Sequence, residues 1–99
     1  MNTFINLNVC RTFNQIATTV LTPLSAQICS EVVIYNQSGN QVLIYDNYYA
    51  NPSNAMLLNN GDSFIVRGIT DTACVSAQTV AGSGPIYYRA QYWSSNVTM

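Results

Sequence analysis

Residues 31–45 read EVVIYNQSGNQVLIY and contain the two segments that decide the fold class. Residues 32–35 and 42–45 are β-branched, aliphatic and aromatic, a composition typical of strands. The polar segment between them contains Gly39, which favours a tight turn. The pattern therefore predicts an antiparallel hairpin. Because successive residues in both segments are apolar, both faces of these strands are expected to be buried.

Similar signals follow along the chain. Asn60-Gly61 separates residues 56–58 from residues 63–67, and Asn-Gly is a strong hairpin signal because both residues tolerate positive φ. Residues 74–77 predict a short strand, and residues 86–93 alternate as a longer strand does. Short strands cut by regular turns are typical of sandwiches. We therefore expect an all-β fold, a small antiparallel β-sandwich of the jelly-roll or immunoglobulin-like type.

The N-terminal third of the chain gives a mixed signal. Apolar residues between 9 and 20 recur at helical spacing, whereas three threonines in the same segment favour a strand. We expect residues 9–20 to form a strand or an irregular arm, followed by a strand through Leu24, Ala26 and Ile28. Residues 1–20 are thus an N-terminal arm or first strand of the same domain, and residues 21–99 form the sandwich.

The composition excludes several classes of function. Only 7% of the 99 residues are charged, the net charge is −1, and the cations are three scattered arginines. Neutralising a nucleic-acid backbone needs several clustered cations, so nucleic acid is not an expected partner. No apolar run is long enough to span a membrane. A surface of amides and hydroxyls is cheap to desolvate, which favours contact with other proteins.

Catalytic and metal-binding residues are scarce. The chain has no histidine, which excludes Ser-His-Asp and Cys-His arrangements, so we expect no enzyme and no cofactor. Cys10, Cys29 and Cys74 are odd in number and too widely spaced for a typical metal site. We expect three buried, apolar thiols. One disulfide with one remaining thiol is the alternative.

Two of the four carboxylates are the strongest candidates for a site. If the first hairpin closes on Ser38-Gly39, Glu31 faces Asp46 directly, at about 5 Å between Cβ atoms. Such a pair serves retaining glycosidases and also holds cations. The simpler interpretation is that the two strand ends splay apart. We expect neither an acid pair nor a bound metal.

Aromatic residues are the other candidates. Tyr48, Tyr49, Tyr87, Tyr92 and Trp93 suit a sandwich core, a subunit interface or a platform that stacks on sugars. Segments 36–38 and 96–98 match the glycosylation sequon, which has meaning only in a secretory pathway.

The stretch from Glu31 to Trp93 resembles a known class of proteins. The resemblance lies in the segments EVVIYN (31–36), MLLNNGDSF (56–64), RGIT (67–70), VSA (75–77) and GSGPIYYRAQY (82–92). It covers about two-thirds of the chain. These segments are similar to small β-sandwich virion proteins of tailed bacteriophages, particularly those that infect cyanobacteria and other marine bacteria.

The resemblance implies a capsid decoration (cement) protein that is made in the host cytoplasm and is located in the virion. The expected partners are the chain itself, as a homo-oligomer with a trimer favoured, and the major capsid protein or another virion protein. A tail, neck or fibre component is one alternative, and a carbohydrate- or cell-surface-binding module is another. The residues expected at interfaces are Phe4, Ile5, Tyr48, Tyr49, Tyr92 and Trp93.

Overall fold

The computed structural model describes residues 3–6, 9–45, 55–92 and 95–98, with the backbone alone at residues 3–6, 9–10 and 95–98. Ten strands lie within these ranges, together with a short 3₁₀ turn at Thr72–Cys74. The strands are β1 (Thr3–Asn6), β2 (Val9–Ala17), β3 (Thr22–Pro23), β4 (Glu31–Asn36), β5 (Val42–Tyr45), β6 (Met56–Leu58), β7 (Ser63–Arg67), β8 (Ser76–Thr79), β9 (Gly84–Tyr92) and β10 (Ser95–Thr98).

Eight of these strands form two four-stranded antiparallel sheets. The first sheet has the order β2-β9-β4-β7 and the second has the order β3-β8-β5-β6. The pairing is nested, because β2 pairs with β9, β3 with β8, β4 with β7, and β5 with β6. Nested pairing across two sheets is the jelly-roll arrangement. The expected β-sandwich is therefore confirmed, and its topology is the jelly roll.

Both predicted hairpins are wrong, although their strands are present. Strand β4 pairs with β7 and β9, whereas β5 pairs with β6 and β8 in the other sheet. The chain crosses between the sheets at residues 37–41, and crosses back at the turn that contains Asn60-Gly61. Gly61 has the positive φ that such a turn needs, at 93°. Turn residues thus signalled the change of direction but not the sheet in which the chain continued.

The remaining strand predictions agree in part. The alternating segment is β9, with Ile86, Tyr88 and Ala90 buried. Residues 9–17 form strand β2 and not a helix. The predicted strand through Leu24, Ala26 and Ile28 is wrong, because β3 ends at Pro23 and Ile28 makes an isolated bridge to Asp71. The predicted strand at residues 74–77 begins two residues later, at Ser76, after the 3₁₀ turn.

The core lies between the two sheets. Its aliphatic side chains come from alternate positions of facing strands, and Phe13 stacks on Tyr88 at its margin with 5.4 Å between ring centroids. Burying each large apolar side chain contributes about 1.5–3 kcal/mol. The cluster consists of Ala17, Leu24, Val32, Ile34, Val42, Ile44, Leu58, Val66, Val75, Ala77, Ile86 and Tyr88.

Strands β1 and β10 form a separate two-stranded ribbon at one end of the sandwich. Thr3 is registered with Thr98, and Val9 is registered with Tyr92. Val9 follows Thr3 by six positions, and Thr98 follows Tyr92 by six positions. The β1–β10 and β2–β9 pairs therefore share one register. Strand β4 accompanies β9 only as far as Gln91. The ribbon therefore continues the β2–β9 pair beyond the end of the sheet.

Candidate functional site

The expected interface residues fall into two groups. Phe4 and Ile5 lie in β1, registered with Val97 and Asn96, and Tyr92 ends β9 opposite Val9. These three residues therefore belong to the β1–β10 ribbon and its base. Tyr48, Tyr49 and Trp93 lie outside the described residues. The role of all six residues at an interface stays a prediction.

The described carboxylates do not converge on a catalytic site. The hairpin register that opposed Glu31 to Asp46 does not exist, because β4 and β5 belong to different sheets. Glu31 instead faces Arg67, with 3.1 Å between Oε2 and the guanidinium Nε. Asp46 lies outside the described residues. Among the residues that the structure describes, no group of three or more candidate metal ligands is found.

The other two described carboxylates hold turns together. Asp62 Oδ2 accepts a hydrogen bond from the backbone N–H of Asn59 at 3.0 Å, across the turn after β6. Asp71 caps the 3₁₀ turn, where Oδ1 accepts from the N–H of Ala73 at 2.8 Å and from that of Gln27 at 3.2 Å. Each carboxylate thus has an architectural role.

Cys29 and Cys74 are buried thiols, as expected, and the side chain of Cys10 lies outside the described part of the structure. Burial, together with the smaller electrostatic effects of the neighbouring Asp71 and Cys74, raises the pKa of Cys29 to about 11. A thiol must ionise to act as a nucleophile. Cys29 is therefore a packing residue and not a reactive one.

One end of the sandwich is closed by loops that bind each other through uncharged amides. The N–H of Gly39 donates to Asn60 Oδ1 at 2.9 Å, and Gln41 Nε2 donates to Asn59 Oδ1 at 2.9 Å. Asn40 Nδ2 donates to the carbonyl of Ser83 at 3.2 Å. These bonds tie together the three crossovers at residues 37–41, 59–62 and 80–83, at the end opposite the β1–β10 ribbon.

Asn36 lies fully buried beneath these loops. Its Nδ2 donates to the carbonyls of Asn40 and Leu58, at 2.7 and 2.9 Å. Its Oδ1 accepts from the N–H and the hydroxyl of Ser38. Because the amide nitrogen is buried and fully engaged, the sequon at residues 36–38 is not a glycosylation site in the folded protein.

The outer face of the first sheet carries exposed aromatic and aliphatic side chains. Tyr35 and Tyr87 are registered neighbours, and Val33 lies between Arg89 and Ile65 in the next row. Tyr35 is 39% exposed and Ile65 is 43% exposed. Tyr87 is among the aromatic residues that the sequence marks as candidates, whereas Tyr35 and Ile65 are not. Only the strand pairing shows that Tyr35 lies beside Tyr87 and that Ile65 lies on the same face.

No helix among the described residues is long and apolar enough to cross a membrane. The chain gives no significant match to a family model, to a curated protein or to a solved structure. The functional argument therefore rests on the fold and on the surfaces described above.

Proposed function

We propose that this chain is a non-enzymatic virion structural protein, and specifically a capsid decoration protein that binds the outside of a phage head. The observation that carries the proposal is the outer face of the first sheet of this jelly roll, where Tyr35 is registered with Tyr87 and Ile65 lies on the next strand. Jelly rolls recur in viral capsid proteins. The fold suggests a capsid protein by analogy only. The outer face of the first sheet is the feature of this particular chain that supports the proposal.

The chemistry of this face suits a lattice contact. Tyrosine combines a large apolar ring with a polar hydroxyl, and it is enriched in the centres of interfaces. Arg89 is exposed beside Val33, and the other charges on the face, Glu31 and Arg67, neutralise each other. Docking this face would therefore desolvate few isolated charges, which is the costly part of forming an interface.

The proposal is tested with virions and with the purified chain. Immunogold electron microscopy of tailed phage particles of marine cyanobacteria, with an antibody to this chain, should label heads in a regular pattern. Labelling confined to tails, necks or fibres would favour the alternative position in the virion. Absence of label from all particles, together with absence of its peptides from purified virions, would overturn the proposal.

The face itself is tested by co-sedimentation of the purified chain with heads that the antibody labels. Tyr35→Ser combined with Tyr87→Ser should weaken binding about tenfold or more, which corresponds to about 1.4 kcal/mol. Thr19→Ser, an exposed change in a loop away from the face, is the matched control. Equal binding by the double variant and the control would exclude this face as the docking site.

A carbohydrate-binding module is the second candidate, because jelly rolls also occur in lectins and two neighbouring tyrosines could stack on a sugar. A glycan array distinguishes it. Specific binding to one glycan class, lost in the Tyr35→Ser and Tyr87→Ser double variant, would replace the capsid proposal. We expect no specific binding.

A further inference from the structure

The two sheets have four outer strands, and three of them are poor templates for pairing. Strand β3 has two residues, one of which is Pro23, and β6 has three residues. Strand β7 has five residues and ends at Arg67. Short edges, prolines and charges are the features that keep sheet edges from pairing with other chains.

Strand β2 is the exception. It has nine residues, contains no proline, and carries one charge, at Arg11. All nine residues pair with β9 on one side. On the other side, no backbone hydrogen bond involves residues 11–17 within the described part of the chain. A long, unblocked edge of this kind is a template for strand addition.

The edge is also held in shape by the rest of the fold. Gln15 Oε1 accepts from the N–H of Ser25 at 3.0 Å, and Gln15 Nε2 donates to the carbonyl of Pro23 at 3.1 Å. These bonds hold β2 against residues 23–25, which follow it in the chain. A strand that is already ordered loses less conformational entropy when a partner binds.

We propose that the β2 edge is a self-association site, where the β2 strand of a second copy adds in antiparallel orientation. Two jelly rolls then share one eight-stranded sheet. The contact is isologous, because the same edge is used on both copies. It joins two copies, in place of the trimer that the resemblance favours. The inference concerns the backbone edge of β2, which borders the tyrosine face of the proposed function where Asn14 is registered with Tyr87.

Length and charge identify a second copy as the occupant. Another β2 strand matches the nine-residue edge in length. With a twofold axis at Phe13, Arg11 lies opposite the partner subunit's Gln15. The only charged residue of β2 therefore does not face the partner's Arg11. Directly opposed like charges destabilise a strand pair. A heterologous partner usually gains specificity from complementary charge, which this edge does not offer.

The test is the molar mass of the full chain by light scattering across the micromolar range. The wild type should reach twice the 10.9 kDa mass of one chain. Thr12→Lys combined with Asn14→Lys should raise the dimer dissociation constant at least tenfold, because positions 12 and 14 of the two copies lie directly opposite each other in this register and opposed like charges destabilise a strand pair. Both positions are exposed. Ser63→Lys, exposed on the β7 edge of the same sheet, is the matched control and should dimerise as the wild type does.

Three outcomes would overturn the inference. They are a wild type that stays at the mass of one chain, an oligomer that the Thr12→Lys and Asn14→Lys double variant leaves intact, and equal weakening by that double variant and Ser63→Lys. A thermal unfolding transition for each variant confirms that the molar mass is measured on folded protein. A monomeric wild type that still labels phage heads would remove this inference and leave the proposed function standing.

Discussion

Gln15, on the outermost strand of one sheet, is hydrogen-bonded through its side chain to Ser25, which follows the outermost strand of the other sheet. In a jelly roll, the outermost strand of each sheet has a hydrogen-bonded neighbour on one side only. The sandwich is therefore open between the outermost strands of the two sheets. The Gln15 amide bridges this opening between β2 and the segment after β3. It makes three hydrogen bonds with Pro23 and Ser25.

Gln15→Ala should therefore lower the free energy of unfolding by about 1–2 kcal/mol, since net contributions per hydrogen bond are about 1 kcal/mol and this site is partly solvated. Asn14→Ala, at the exposed neighbouring position, should change stability by less than about 0.5 kcal/mol. Urea unfolding measures both. Equal effects of the two changes would show that the bridge has no energetic role.

Asn36→Ala should be more costly, by about 3 kcal/mol. The change removes both donors to the carbonyls of Asn40 and Leu58 and the acceptor for Ser38, in a site with no solvent exposure. A buried carbonyl left without a partner costs about 1–3 kcal/mol. Asn36→Asp keeps the acceptor and loses the donors, so it should also destabilise at neutral pH. A loss below about 1 kcal/mol in urea unfolding would contradict the buried network.

Gly84→Ala should be among the most damaging single changes. A Cβ at Gly84 would overlap the carbonyl oxygen of Ser38 and lie 2.7 Å from its Cα, both of which are backbone atoms. Either β9 or the loop after β4 must move. We expect a loss above about 3 kcal/mol, or failure to fold.

Gly39→Ala is the control for that change. Gly39 has a φ of 79°, but a Cβ there meets nothing within 4 Å. Only backbone strain of about 1–2 kcal/mol is then expected. Thermal unfolding of both variants separates steric overlap from strain, and similar losses would argue against close contact at Gly84.

Cys29 should make stability sensitive to alkaline pH. The folded protein holds this thiol protonated up to a pKa of about 11, whereas an unfolded thiol ionises near 8.5. Above the unfolded value the unfolded chain binds fewer protons than the folded one, so stability falls as pH rises. The loss develops between about pH 8.5 and 11. Cys29→Ala should flatten this part of the curve relative to the wild type, and parallel curves would contradict the pKa shift.

The sequence predicted the positions of most strands correctly, but it did not predict which strands pair with each other. The strands at residues 32–35, 42–45, 63–67 and 86–92 were predicted correctly because β-branched and aromatic residues favour the extended backbone of a strand. Pairing depends on where a chain goes after a turn. Short connections with Gly39 and Gly61 are equally consistent with a hairpin and with a crossing to the facing sheet, so both hairpins were predicted wrongly.

One strand pair that does form in the jelly roll was also not predicted from the sequence. Strands β5 and β6 are consecutive and paired, although a long polar segment separates them and no hairpin was predicted there. The candidate site was predictable only at Tyr87, where alternation in β9 marks the outward residues. Tyr35 and Ile65 needed the register, and the length of the β2 edge relative to the other edges needed the complete topology.

Nested pairing also determines when each strand can fold. Strand β2 leaves the ribosome early, but its partner β9 begins at Gly84, so at roughly 5–20 residues per second β2 waits several seconds for it. Contacts between residues so far apart in sequence make folding slow, because the intervening loop must close first. Newly made chains are therefore expected to carry a long unpaired strand during synthesis, and an unpaired strand edge makes a folding intermediate prone to strand exchange and aggregation.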